Sequence, residues 1–403
     1  MARRLNADRS DHLGPTLECR CGQQARYAGR HTKRFQTVLG DMLLERAYYH
    51  CAACQQGSFP RDRALGMVDS SLSPAVTRMI GLVGAMVSFE EGAELLGELA
   101  GVGVNTKQVE RTAEALGAAI ASDERQRIEP IAPDEIPPTL YLGMDGTGIP
   151  MRACALAGRP GKQPEGSAKT REVKLCTVWS AEARDAKGTP LRDDASISYS
   201  AAIESAASRD TDTAPSAFAR RVAREAARRG FARASRHVVL GDGAPWIWNL
   251  ADEYFPHAVQ IVDRFHAKQH LSDVAKAIYG AGSELTQQWT RQRYDQLDAG
   301  DIDPIIVALA VHANHCDEAR KCIVYLQTNR ARMRYHDFHQ RGLCTSTGVV
   351  EAGCKVAIGT RLKRAGMHWT IPGANAIIAL RCCKLSRRFA DFWAVRAQSA
   401  IGA

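Results

Sequence analysis

An α/β protein with an all-α insertion, preceded by a cysteine-stapled module and a helical domain, is the architecture that the sequence predicts. Three observations lead there. Strand-like runs TLYLGMDGT (139–147), VKLCTVWS (173–180), HVVLGDG (237–243) and AVQIVDRFH (258–266) are followed, in the later part, by helical stretches such as the Arg-rich, amphipathic 218–230. That strand–helix–strand alternation specifies a sheet with some parallel strands. Residues 267–340 then read as almost entirely helical, and the first 54 residues hold four closely spaced cysteines.

Taken in order, residues 1–64 form a module organised around Cys19-x-Cys21 and Cys51-x-x-Cys54, with a hairpin between the pairs that turns at Leu39-Gly40-Asp41. Residues 65–127 are helical. Ser73-Pro74 starts one helix, Gly101 and Gly103 end a second, and Asn105 caps a third. Two helices joined by a short Gly-containing turn fit a helix-turn-helix with residues 105–120 as recognition helix, although any small helical hairpin has the same pattern. The Pro-rich 128–138 is a linker. Residues 139–403 form the α/β domain, with its helical insertion at 267–340. Segments 157–170 and 183–196, rich in Gly, Lys, Asp and Ser, are expected to be loops.

Composition restricts the function. Apolar residues make up 45% and charged ones 24% of the chain, as in ordinary globular proteins. No apolar run approaches the roughly 20 residues of a membrane-spanning helix, and no apolar stretch follows the N-terminal arginines as a secretory signal requires. A soluble cytoplasmic protein is expected. Lys and Arg outnumber Asp and Glu by 53 to 44, and the excess lies at the ends. Nine Lys/Arg against Asp391 alone follow Glu351, and eleven basic against six acidic residues occupy the first 64. Cationic ends suit a polyanionic partner, or a solubilising surface.

Asp145 ends the apolar run LYLGM, and Asp242 ends VVLG; each precedes a glycine. An acid at the end of a buried strand is costly unless paired or metal-bound. One Asp-Gly after a strand is more often a turn, but two in one α/β domain favour a site. Glu351 follows the cap candidates Thr345 and Ser346 on a helix whose Val349, Val350 and Val356 face the core. With Lys355 at i+4 it is also open to reading as a helix salt bridge. Three such acids suit phosphodiester chemistry, because two divalent ions about 3.5–4 Å apart activate the nucleophile, stabilise the leaving oxygen and neutralise the phosphate. Hard Mg²⁺ (or Mn²⁺) prefers such oxygen ligands.

YLGMDGT around Asp145, VVLGDGAPWIW around Asp242, IVDRFHAKQHL, and TGVVEAGCK…RAGMHW around Glu351 together resemble bacterial insertion-sequence DDE transposases of the Kra type, relatives of the Mutator-like enzymes. The resemblance spans residues 139–393. It implies a ribonuclease H-like fold with the third acid on a helix after an α-helical insertion. It also implies metal-ligand and catalytic roles for Asp145, Asp242 and Glu351. Asp263-x-x-His266 resembles the Cys/Asp-x-x-His signature of the wider group and is expected near the site, although Asp263 is equally placed to cap a helix.

Four thiolates around a hairpin suit a structural Zn²⁺ ribbon. The one-residue gap of Cys19-x-Cys21 is tight, so either Arg20 is strained or His50 substitutes for a ligand; two unmetallated pairs are the alternative. Arg20, Arg26, Arg30, Lys33 and Arg34 are expected to face DNA. In the basic tail Lys355, Arg361, Lys363 and Arg364 are expected to grip phosphates. Trp369 either stacks on an unpaired base or packs in its own domain. The expected function is metal-dependent strand cleavage and transfer at transposon ends. Its partners would be the terminal inverted repeats, target DNA and further copies of the chain. The alternatives are a catalytically silent DNA-binding regulator or a metal-dependent nuclease without strand transfer.

Overall fold

The computed structural model describes residues 2–68, 70–128, 131–159, 168–186, 188–207 and 215–401. The chain divides into two compact units, Met1–Ala121 with Arg387–Ala403, and Ser122–Ser386.

In the first unit, α1 (Ala2–Ala7) precedes an antiparallel sheet of β1 (Thr16–Glu18), β2 (Gln24–Thr37), β3 (Gly40–His50) and β4 (Gly57–Ser58), paired in sequence order. β2 and β3 make the long hairpin, closed where Thr37 pairs with Gly40. Phe35 and Leu44 are fully buried on one face of it, and Ala47 and Tyr49 on the other. α2 (Pro60–Ala64), α3 (Pro74–Met86), α4 (Phe89–Ala100) and α5 (Thr106–Gln126) follow. Ser73 caps α3, with Pro74 at its first position. Ser88 and Glu91 form a reciprocal capping box on α4, which Gly101 ends in the left-handed region. A Cβ at Gly84 would lie 2.7 Å from that of Ala113, so α3 and α5 pack with little between their backbones.

The second unit is a mixed five-stranded sheet covered by helices. Its elements in order are β5 (Thr139–Pro150), β6 (Thr170–Ser180), β7 (Ala183–Arg184), β8 (Pro190–Leu191), β9 (Ser198–Ala202), α6 (Ala217–Arg228), β10 (Arg236–Gly241), α7 (Pro245–Tyr254) and β11 (Val259–Val262). The sheet runs β11-β10-β5-β6-β9. β5–β6 and β6–β9 are antiparallel, while β10 is parallel to both β5 and β11. Val173–Ser180 is buried at every position, as a strand covered on both faces must be. The helical insertion comprises α8 (Arg264–Tyr279), α9 (Glu284–Ala299), α10 (Ile302–Ala310), α11 (Asp317–Asn329) and α12 (Tyr335–Gln340). A continuous helical segment then runs as α13 (Gly348–Gly353), a π-helical stretch (Cys354–Gly359) and α14 (Thr360–Leu362), before α15 (Ile371–Leu385). α16 (Phe389–Ile401) belongs to the first unit, not to the domain in which the sequence reading carries it.

Of the two segments expected as loops, 183–196 contains the short β7–β8 pair. In the other, residues 160–167 lie outside the described residues. No helix among the described residues is long and apolar enough to cross a membrane.

Candidate metal-dependent active site

Strand β5 is buried from Thr139 to Met144 and emerges at Asp145, whose carboxylate is half-buried. Leu240 of β10 pairs with Gly143, so continuing the register by two residues sets Asp242 level with Asp145 on the adjacent parallel strand. Neighbouring strands lie roughly 4.8 Å apart, which brings the two acids side by side. Each carboxylate is held by a backbone N–H close by: Asp145 Oδ1 accepts that of Gly146 at 2.6 Å within β5, which runs on to Pro150 instead of turning after Asp145, and Asp242 Oδ1 accepts that of Ala244 at 2.9 Å in the turn after β10. Gly243, at φ +102°, has no room for a side chain, because a Cβ would fall 2.5 Å from the Tyr325 ring. The Tyr325 hydroxyl donates to the Asp242 carbonyl at 3.2 Å.

Glu351 comes from above the sheet. A Cβ at Gly353 would sit 3.0–3.3 Å from Leu175, Tyr199 and Thr177, so α13 lies directly on β6 and β9. Its cap residue is Thr347 rather than Thr345 or Ser346, which puts Glu351 about one turn in, and exposed. Glu351 makes no ion pair with Lys355; the π-helical stretch that begins at Cys354 changes the helical repeat between them. Burial above all, and then the charges of Asp242 and Glu351, push the Asp145 carboxyl above its ordinary range, against the pull of the Gly146 N–H and the Cys354 thiol. The structure therefore brings the three acids into one another's field. None of them is ion-paired to a described Lys, Arg or His.

Asp263 is 1% exposed and clasps three elements. Its Oδ1 accepts the His266 N–H at 2.6 Å, which caps α8. Its Oδ2 accepts both the backbone N–H of Thr347 and the Thr347 hydroxyl, the latter at 2.7 Å. Its own N–H donates to Gly241, next to Asp242. The Thr347 hydroxyl also lies 3.4 Å from Glu351 Oε1. Asp263 thus caps a helix and ties the Asp242 strand end to the start of the Glu351 helix.

His266 is half-buried, one helical turn from His270, with ring centroids 5.8 Å apart; His270 packs on Tyr325 at 4.3 Å. Burial, and then the neighbouring His266, hold the His270 pKa below its usual value. The sequence reading missed His270, Tyr325, Cys354 and Thr347. Only His270 had a signal, the i+4 spacing from His266.

The basic tail divides. Lys355 and Lys363 are exposed and Arg364 is half-buried, with Lys363 Nζ on the Thr147 hydroxyl two residues past Asp145. Arg361 is fully buried, packed on Trp369 and 3.4 Å from Met367 Sδ, so it is not placed to meet phosphate. Trp369 is 6% exposed and donates its indole N–H to the Leu362 carbonyl at 3.0 Å. It packs within its own domain, and stacking on a base would require its extraction.

In the first unit Cys19, Cys21, Cys51 and Cys54 bring all four sulfurs within 4.8 Å of one another. The Cys19–Cys54 and Cys21–Cys51 Sγ separations are 3.5 and 3.7 Å. A tetrahedral zinc with bonds of about 2.3 Å sets its sulfurs about 3.8 Å apart, so four cysteines in this arrangement can bind zinc. His50 is not among them. The one-residue gap leaves Arg20 unstrained, because Gly22, at φ +79°, takes the turn and donates to the Cys19 carbonyl. Backbone N–H groups of Cys54 and Ala53 help bring the Cys51 thiol down to about 7, favouring the thiolate that a metal requires. Arg30 is committed to Asp11 and Lys33 to the Ser70 carbonyl, while Arg20, Arg26 and Arg34 are exposed, Arg34 paired with Asp41 at 3.6 Å.

Among the described residues only the cysteines bring three or more candidate ligand atoms so close; the three carboxylates stand wider. Ions about 3.5–4 Å apart, each with oxygen ligands about 2 Å away, need outer ligands farther apart than a single ion does. Three carboxylates, none ion-paired to a described Lys, Arg or His, offer the hard oxygen donors that such a pair takes.

No curated protein matches the chain. Among solved structures it is similar to the Drosophila P element transposase strand transfer complex, with a TM-score of 0.29 and 11% identity, over 79% of this chain and 79% of that one. That likeness is too distant to bear on fold or function. The model of the Uncharacterised protein family UPF0236 matches residues 16–387, and the chain belongs to that family.

Proposed function

We propose that the chain is an insertion-sequence DDE transposase of the Kra type, with a ribonuclease H-like core that cuts and joins DNA using two Mg²⁺ or Mn²⁺ ions. The observation that carries this reading is the register that sets Asp145 and Asp242 level on adjacent parallel strands, with Glu351 on α13 near enough for its charge to act on Asp145 and none of the three ion-paired to a described Lys, Arg or His. The sheet supports it too: β5, its first strand, is central, with β6 antiparallel to it and β9 antiparallel to β6 on one side, and the parallel β10 and β11 on the other. The bound ions would supply an activated oxygen nucleophile and neutralise the leaving group and phosphate. The chain's part is to hold its oxygens in place. Asp145, central and level with Asp242, is the ligand suited to both ions; Asp242 and Glu351 flank it. His266, beside the site, is suited to contact a DNA phosphate.

In this reading residues 1–64 are a zinc ribbon, 65–127 a helix-turn-helix-like domain, and both bind terminal inverted repeats. Lys355, Lys363 and Arg364 grip phosphate near the cut, and the chain acts as an oligomer on DNA. The test uses purified full-length protein, Mg²⁺, a duplex carrying the element's ends and a target duplex. Asp145→Asn, Asp242→Asn and Glu351→Gln should each abolish cleavage and joining while DNA affinity stays within a few-fold. Full cleavage by any one removes that residue from the site. Cleavage without joined product in the wild type identifies a nuclease instead.

A further inference from the structure

We infer that Tyr325, on α11 of the helical insertion, is a positioning residue for Asp242: its hydroxyl locks the peptide unit from which that carboxylate projects. The inference rests on the metal-dependent reading of the three acids, and it gives the insertion a role that the reading leaves open.

Asp242 is the acid that needs a lock. Asp145 lies inside β5, which stays paired with β6 as far as Pro150. Asp242 lies one residue past the end of β10 at Gly241, beyond the residues that pair with β5 and β11. Gly243 follows, and glycine has the widest choice of backbone conformation. Because the peptide unit is planar, a Cα–Cβ bond is aimed once the two units that flank it are fixed. On the N-terminal side of Asp242, the Gly241 carbonyl accepts the Asp263 N–H at 2.8 Å. On the C-terminal side, the Asp242 carbonyl accepts the Tyr325 hydroxyl at 3.2 Å. Both units are thus pinned, one by the cap of α8 and the other by α11.

Tyr325 is itself held in place. Ala319, Cys322 and Leu326 of α11 are at most 2% exposed and fasten the helix to the core. The buried Asn329 amide donates to the Tyr325 carbonyl at 3.0 Å, and the His270 ring lies 4.3 Å from the Tyr325 ring. A Cβ on Gly243 would fall 2.5 Å from that ring. Gly243 therefore makes room for Tyr325, and Tyr325 removes the freedom that Gly243 brings. Burial above all, and then the charge of Asp242, keep the phenol pKa above its usual value, so the hydroxyl remains a donor. Tyr335, on α12, sets the contrast. It is fully buried and donates to the carbonyl of Val262, the last residue of β11, at 3.0 Å. It fastens the insertion to a strand that carries none of the three acids.

The experiment follows full-length wild type, Tyr325→Phe and Tyr335→Phe by two readouts. The first is hydrogen exchange of the Ala244 amide in Mg²⁺-free protein without DNA, because that N–H donates to Asp242 Oδ1. The second is the Mg²⁺ concentration for half-maximal cleavage of a duplex carrying the element's ends. Tyr325→Phe keeps the ring and loses the lock. Its Ala244 amide should exchange several-fold faster. It should need about tenfold more Mg²⁺, the low end for a partner that orients a metal ligand. Tyr335→Phe should match wild type in both readouts while melting lower, because it leaves a buried carbonyl unpaired. A wild-type Mg²⁺ requirement in Tyr325→Phe overturns the inference and leaves the metal reading standing. Equal changes in the two variants assign the effect to general loosening and also overturn it. A wild type that cleaves nothing overturns the metal reading; faster exchange in Tyr325→Phe alone then still supports the lock, and unchanged exchange overturns it.

Discussion

Replacing Asp263 tests how Glu351 is held in place. The carboxylate is 1% exposed and accepts three hydrogen bonds, from the His266 N–H and from the N–H and hydroxyl of Thr347. A hydrogen bond to a charged group contributes about 1.5–3 kcal/mol, and a buried donor left without a partner is penalised further. The three bonds share one acceptor and do not add fully, so Asp263→Ala should cost at least about 3 kcal/mol. For a unit of this size that lowers Tm by roughly 6–12 °C. Asp263→Asn keeps one oxygen acceptor but turns an amide N–H₂ toward the other donors, and should lose about 2 kcal/mol. Thr347→Val is the finer probe. It keeps the backbone bond to Asp263, costs about 1.5 kcal/mol, the low end for a bond to a charged group, and removes the hydroxyl that lies 3.4 Å from Glu351 Oε1. If Asp263 acts through Thr347 on Glu351, the valine variant needs more Mg²⁺ for half-maximal cleavage while its Tm falls only about half as far as that of Asp263→Ala. Thermal melting and a Mg²⁺ titration of cleavage decide the matter. Asp263→Ala melting within about 2 °C of wild type would refute the argument.

The other perturbations read separate parts of the molecule. The Asp145 carboxyl has a raised pKa in the folded protein, chiefly through burial. The fold thus favours its protonated form, and this contribution, complete below the unfolded value near ~4, is lost as pH rises through the folded value. Asp145→Asn should therefore raise the Tm of protein kept in Mg²⁺-free buffer without chelator at neutral pH, with the gain shrinking toward acid, as calorimetry across that range would show. The purified chain should carry about one zinc, lost in Cys51→Ser, and chelation should melt the first unit, since structural zinc contributes about 10–16 kcal/mol in small modules; metal analysis finding none sinks that assignment. Trp369→Ala should cost about 3–5 kcal/mol as a core truncation with little change in DNA affinity, whereas affinity falling without loss of stability would restore the base-stacking role.

How much could be read in advance depended on the range of the interactions. Asp145 and Asp242 are visible in sequence because each follows a buried apolar run of its own and is held by a backbone N–H within two residues. Glu351 has no comparable local mark; its neighbours in the site are set by α13 lying on β6 and β9, and only the family resemblance pointed to it. The clasp between Asp263 and Thr347 joins residues 84 apart in sequence, which no periodicity or spacing records. The tight Cys19-x-Cys21 gap suggested strain because the reading weighed Arg20 and not Gly22. Basic residues were counted without regard to burial, and there the reading of the tail went furthest astray.

Arg381 shows what a buried cation in that tail does. It is 2% exposed; its Nε donates to the Ala357 carbonyl at 2.8 Å, and its Nη2 reaches the Val356 carbonyl and the Thr360 hydroxyl. Both carbonyls belong to the π-helical stretch that follows Glu351, where a widened turn weakens regular helical bonding. The guanidinium acts as a fork that holds this stretch, and lysine, a single point donor, cannot reproduce it. Arg381→Lys keeps the charge count of the tail intact and so separates the two roles. If Arg381 acts by charge on DNA, the variant should bind and cleave as wild type. If it holds the helix that carries Glu351, the variant should lose about 1.5–3 kcal/mol of stability and should cleave poorly, while the salt slope of DNA binding stays unchanged. An unchanged Tm together with wild-type binding and cleavage would return Arg381 to the phosphate-binding surface.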